Sequence, residues 1–147
     1  MIASTEIIEL IKSFEGFSSK VYLCPAGLET IGYGHVITAV EKFKIINKEN
    51  AEKLLKQDVY KAEVSVIRNI HINLTQSQFD ALISFTFNLG GGALQRSTLR
   101  QKVNRNDHMQ VPKELMRWVC SNGQVLPGLI RRRSLESNLY MLNLTDY

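Results

Sequence analysis

The feature that most constrains this 147-residue chain is one long apolar stripe. Ala51, Leu54, Leu55, Val59, Ala62, Val66, Ile67 and Ile70 recur at the helical period, with Lys and Glu on the opposite face. A helix of roughly 20 residues spans about 30 Å, which is enough to bridge two lobes of a small domain. Its neighbours differ in character. Before it, residues 17–38 are rich in β-prone Tyr22, Thr30, Ile31 and Tyr33, punctuated by Pro25, Gly27, Gly32 and Gly34. After it, Thr75-Gln76-Ser77-Gln78 is a capping box that opens a strongly apolar helix through Phe79, Leu82, Ile83, Phe85, Phe87 and Leu89.

The remaining elements follow from the same reasoning. Ile7, Ile8, Leu10, Ile11 and Phe14 predict a helix over 5–14, with Ser4 or Thr5 as N-cap and a stop near Gly16. Gly90-Gly91-Gly92 reads as a helix stop and hinge, because it follows a helix and lacks the Lys-Ser/Thr of a phosphate loop. Helices are expected at about 94–104 and 108–121, and a last one near Pro127, a good first-turn residue. The order of helix, small sheet, then helices only predicts an α+β protein, mostly helical. Its single domain is expected to have a β-containing lobe over about 16–46, joined by the long helix to a helical lobe over about 71–147, with the first helix packed on that lobe.

Composition narrows the class. Apolar residues at 44% and charged residues at 22% are those of a water-soluble globule. Apolar runs fall well short of the roughly 18 residues needed to span a bilayer. The first residues carry acids and lack a basic, apolar leader, so synthesis as a cytosolic protein is expected. In that compartment Cys24 and Cys120 are expected as free thiols. Residues 1–60 hold 7 Lys/Arg against 8 Asp/Glu, and the remainder 11 against 6. The basic second half suits an anionic polymer, although a solvated face is an equally ordinary reading. Basic residues are not interleaved with aromatics, and no nucleic-acid partner is expected. His71, His108, Cys24 and Cys120 have no metal-ligand spacing, and neither metal nor cofactor is expected.

Chemistry concentrates in the first quarter. Glu15, Cys24 and Thr30 bring a carboxyl, a thiol and a hydroxyl onto one helix end, loop and strand. Glycoside hydrolysis needs an acid for the leaving oxygen and polar groups to hold a water. An acid at a helix C-terminus faces the negative pole of the dipole, a place that disfavours charge and suits a proton donor. Cys24 could equally be a small hydrophobe under the loop, and His35 a structural hydrogen-bonder rather than a base.

Glu15-Gly16-Phe17, Tyr22, Cys24, Gly27 and Thr30-Ile31-Gly32-Tyr33-Gly34-His35 resemble the opening of the phage-type lysozymes, the endolysins of tailed bacteriophages. The resemblance runs on through Ala51-Glu52-Lys53-Leu54-Leu55, Asp58, Gln78-Phe79-Asp80-Ala81-Leu82, Ser84-Phe85, Phe87-Asn88 and Gly90. Ser97-Thr98-Leu99, Trp118, Leu126-Pro127-Gly128-Leu129, Arg131-Arg132-Arg133 and Glu136 follow in the same order. It implies a lysozyme-like fold and a muramidase cleaving the β-1,4 bond from N-acetylmuramic acid to N-acetylglucosamine in peptidoglycan. Glu15 would be the general acid and Thr30 would hold the attacking water. Cys24 stands where the family most often has Asp.

A thiol of ordinary pKa about 8.5 is mostly neutral at pH 7, and Glu29 beside Thr30 would push it higher. The resemblance also implies a supporting His35–Asp58 pair and substrate contacts at Phe87, Asn88 and, more weakly, Thr98. Phe87 fits the core as well as it fits a sugar ring. Of the three arginines, one is expected to pack structurally and the others to meet the wall. Function would be host lysis by a monomer that waits in the bacterial cytoplasm until a holin lesion opens a route to the wall. It would insert in no membrane and rely on no separate wall-binding module. The alternatives are a wall-binding relative without catalysis, and a lytic transglycosylase that leaves 1,6-anhydro products.

Overall fold

In a computed structural model, which describes residues 1–144, seven α-helices, one of them enclosed by its neighbours, carry a small sheet on one side. Helix α1 (Thr5–Glu15) starts at Ser4, whose hydroxyl accepts the Ile7 N–H at 3.1 Å. Ser4 is itself tied to Asp80: its N–H and hydroxyl both donate to that carboxylate. Ile7 and Ile11 of α1 are buried, and this cap fixes the helix to the central helix 76 positions away.

Strands β1 (Ser18–Leu23), β2 (Glu29–Gly32) and β3 (His35–Val36) form an antiparallel sheet in the order β1-β2-β3. The register pairs Tyr22 with Thr30 and Ile31 with His35. Helix α2 (Lys48–Asn69), capped by Asn47, buries Ala51, Leu55, Val59, Ala62 and Val66 along one face, whereas Ile67, expected in the stripe, is exposed. Its 22 residues correspond to about 33 Å, the length the stripe requires.

Helix α3 (Gln76–Leu89) opens with the complete capping box of Thr75 and Gln78. Every residue from Gln78 to Thr86 is buried, because α1, α2, α4 and α7 pack around it. A helix enclosed on all sides reads as apolar all round rather than as a stripe.

Three expectations change in the second half. Gly90 stops α3, but Gly91 and Gly92 already belong to α4 (Gly91–Arg96), so the triplet is no hinge. Gly91 sits against Ser65 of α2, where any Cβ would collide with the Ser65 side chain. The helix expected over 94–104 breaks at Ser97, whose hydroxyl caps α5 (Thr98–Asn104) by accepting the Arg100 N–H at 3.0 Å.

The helix expected over 108–121 is a 3-10 turn at His108–Gln110 and a short α6 (Val111–Leu115). Beyond it, β4 (Cys120–Ser121) and β5 (Gln124–Val125) form a hairpin, so the second half is not helical throughout. Asn122 and Gly123, at φ 52° and 77°, make the two-residue turn. Helix α7 (Pro127–Tyr140) begins at Pro127 as expected and lies along α3. Among the described residues, no helix is long and apolar enough to cross a membrane.

Candidate active site

A cleft of about 620 Å³ runs between the sheet and the helical body. Glu15, Tyr22, Cys24, Thr30 and Gly34 line one side; Phe87, Asn88, Cys120, Arg132 and the 126–129 segment line the other. The volume is that of a small-ligand or oligosaccharide site. Asn122, at the hairpin tip, donates to the Pro25 carbonyl at 2.8 Å, so hairpin and loop meet at one edge. Cys24 and Cys120 are free cysteines, and both line this space.

Glu15 is the last residue of α1 and is held from the far end of the chain. Arg132 Nη1 donates to its Oε1 at 2.6 Å across 117 positions. Arg132 stacks on the Phe14 ring at 4.7 Å and donates through Nη2 to the Ser84 carbonyl at 3.2 Å. The guanidinium is therefore fixed in plane and direction before it meets the acid. Oε2 of Glu15 lies beside Gly34. A Cβ there would stand 2.5 Å from Oε2 and 2.8 Å from Cδ, so the carboxyl occupies space that only glycine leaves free.

On the loop side, local bonds do the shaping. Cys24 N–H donates to the Leu28 carbonyl at 3.0 Å, and Gly27 N–H donates to the Cys24 carbonyl at 2.8 Å. The Thr30 hydroxyl gives its proton to the same Leu28 carbonyl at 2.8 Å, which leaves its oxygen lone pairs as acceptors. Burial pushes the Cys24 thiol up, yet donors around it outweigh that. The Leu28 and Ala26 backbones come first among them, and they hold the thiol below its usual value. Glu29 does not act on this thiol as expected. Strand alternation turns Glu29 out to solvent while Thr30 goes inward, only 1% exposed. Tyr22, the register partner of Thr30, is pushed up by burial and then by the charges at Glu15 and Cys24.

His35 lies outside the cleft, between the sheet and α2. Its Nδ1 is 2.7 Å from Asp58 and its Nε2 3.0 Å from Glu41, a second partner that the sequence did not reveal. The Asp58 bond raises the His35 pKa, burial opposes it, and the Glu41 bond adds to it. Glu41 is in turn held low, chiefly by the Thr38 N–H and then by His35.

Phe87 and Asn88 end α3 on the cleft wall. Thr98, the first residue of α5, is not among the residues lining the cleft. Two arginines pack inside where one was expected: Arg132 is 4% and Arg133 0% exposed, and only Arg131 is at the surface. Both are paired to the fully buried Glu136, Arg133 Nε at 2.8 Å and Arg132 Nε at 3.5 Å. Burial raises the Glu136 carboxyl and lowers the Arg133 guanidinium. The spacing of Glu136, three and four residues after the arginines, was the available signal. Among the described residues, no group of three or more His, Cys, Asp or Glu side chains could hold a metal ion.

A mostly helical body, a small sheet and a lone acid in the cleft between them define a lysozyme-like architecture. A family model described as phage lysozyme matches residues 12–136, and the chain belongs to that family. It is 43% identical over 136 residues to an endolysin of Bacillus phage B103, covering 91% of this chain and 52% of that protein. It thus spans about half the length of that relative. An endolysin of Acyrthosiphon pisum secondary endosymbiont phage 1 is 38% identical over 144 residues, covering 95% of this chain and 98% of that one. The solved muramidase domain of SpmX from Asticaccaulis excentricus superposes with a TM-score of 0.83 at 37% identity, covering 94% of this chain and 96% of that one.

Proposed function

We propose that the protein is an endolysin-type muramidase that hydrolyses the β-1,4 bond between N-acetylmuramic acid and N-acetylglucosamine in peptidoglycan. The observation that carries this reading is Glu15 itself. Its Oε1 is pinned by Arg132, and its Oε2 lies against Gly34 in an open cleft, with Cys24 and Thr30 on the same wall.

Glu15 gives a proton to the bridging oxygen as the bond breaks. A water held by the Thr30 oxygen and the Cys24 side chain attacks the anomeric carbon and releases its proton to solvent. Direct attack by water inverts the anomeric centre. Phe87 offers a face to a sugar ring, and Asn88 a polar group. His35, clamped by Asp58 and Glu41, keeps the sheet seated on α2.

The sheet and the helical body act as two lobes with the cleft between them. In the cell, the protein works as a monomer on peptidoglycan after a holin lesion gives it a route from the host cytoplasm. No resident cofactor enters this scheme. Reducing ends released from purified peptidoglycan test the reading. Glu15→Gln is expected to cut turnover by about a thousandfold, the scale of a lost general acid. Retained turnover in that variant would overturn it.

A further inference from the structure

We propose that Arg133 is a positioning residue for substrate recognition: it turns the Asn88 amide so that the NH2 group, not the carbonyl, faces the cleft. That wall thereby selects ligands presenting an amide carbonyl. The identity of the substrate rests on the muramidase reading, whereas the orientation rests on geometry.

Arg133 is fully buried and has donors only. Its Nη2 donates to Asn88 Oδ1 at 2.8 Å and to Glu136 Oε1 at 2.9 Å, and its Nη1 reaches the Trp118 carbonyl at 3.5 Å. The guanidinium packs over the Phe85 ring at 5.2 Å, which removes its freedom to swing away. A flipped Asn88 amide would set its own N–H groups against a cation with no lone pair, so chemistry decides the orientation. Asn88 is half-buried and lines the cleft. Among the described residues its Nδ2 makes no hydrogen bond within the chain, and it remains as a donor for whatever enters.

Glu136 extends the device. It takes a hydrogen bond from Ser84 at 2.7 Å, holds Arg133 behind Asn88, and holds Arg132 behind Glu15. One buried carboxylate thus backs both the acid and the amide donor, which fixes the distance between the bond being cut and the carbonyl being recognised. Peptidoglycan offers that carbonyl from two sources, the acetamido groups of its sugars and the amides of its stem peptides.

Steady-state kinetics of Asn88→Asp distinguish the possibilities. Asp keeps an acceptor for Arg133 but removes the donor. On peptidoglycan KM is expected to rise by about tenfold, the worth of one hydrogen bond, with kcat within about twofold and no loss of thermal stability. The same rise on peptide-free glycan strands, absent once they are de-N-acetylated, supports the proposal and assigns the carbonyl to the sugar. A rise confined to peptide-bearing material supports it and assigns the carbonyl to the stem peptide. Arg133→Lys, which can still pair with Glu136 but lacks the fork that reaches Asn88, is expected to show the same KM rise. Combining it with Asn88→Asp should add nothing further.

A wild-type KM in Asn88→Asp would overturn the proposal, as would a rise that persists equally on de-N-acetylated, peptide-free strands. If the wild type releases no reducing ends, the muramidase reading fails separately. Equilibrium binding of the same strands to wild type and Asn88→Asp then reads the donor directly, with equal affinities as the contrary result.

Discussion

The two walls of the cleft are built by opposite means. On the helical side, Arg132, Arg133 and Glu136 are at most 4% exposed and act across long stretches of sequence: Arg132 reaches Glu15 over 117 positions, and Arg133 reaches Asn88 over 45. On the loop side, Cys24 and Thr30 are arranged by bonds that span only a few residues, and both donate to the Leu28 carbonyl. The buried wall is rigid because removing one partner strands a desolvated charge. The loop wall holds its shape through backbone bonds that survive a change of side chain. In the proposed mechanism, the difference means that precise placement of Glu15 is invested in the core, while the side proposed to hold the water tolerates substitution at Cys24.

Gly34→Ala presses hardest on this contrast after removal of the acid itself. The added methyl overlaps Glu15 Oε2, and turnover is expected to fall by about a hundredfold, the cost of a 1 Å misplacement. Single-turnover kinetics would read it, with the fold checked by thermal melting. Arg132→Lys keeps a cation near Glu136 but loses the fork that meets both Glu15 and the Ser84 carbonyl. A drop in kcat of about 30-fold with little change in KM is expected.

Cys24→Ala should lower kcat by only about fivefold, and Cys24→Asp should retain activity. A larger effect of Cys24→Ala than of Arg132→Lys would reverse the comparison, and undiminished turnover would take the thiol out of the mechanism.

His35→Asn is expected to leave the rate untouched and to alter stability alone. A raised folded pKa contributes stability that is complete below the unfolded value of about 6.5 and is lost as pH rises through the folded value. The melting-temperature gap between variant and wild type should therefore be widest near pH 5 and close as pH rises. A gap that is constant from pH 5 to 8 would argue against the charged clamp.

The same local-against-distant contrast explains what was legible in the sequence. The stripe of α2, the Thr75–Gln78 capping box and the Glu15, Cys24, Thr30 segment are written in neighbouring residues, and each could be read directly. One arginine of the three was expected to pack inside, but neither the second nor their targets could be read, because Glu15 and Asn88 are near Arg132 and Arg133 only in space. Glu41 escaped notice for another reason: it is only six positions from His35, but the irregular loop that returns it carries no periodicity to read.

The β4–β5 hairpin was missed because strands of two residues carry no periodicity; Asn122-Gly123 was its one readable sign. Glu29 was expected to push the Cys24 thiol up, counted as a neighbour in sequence, whereas backbone donors hold the thiol lower. Period-two alternation of β2 turns that carboxylate away.

Digestion of purified peptidoglycan in heavy-oxygen water, followed by mass analysis of the muropeptides, tests the central claim most directly. Acid-assisted attack by water predicts that each new reducing N-acetylmuramic acid end carries one heavy oxygen, and that Glu15→Gln yields none. Unlabelled 1,6-anhydro ends, or no new ends from the wild-type protein, would contradict it.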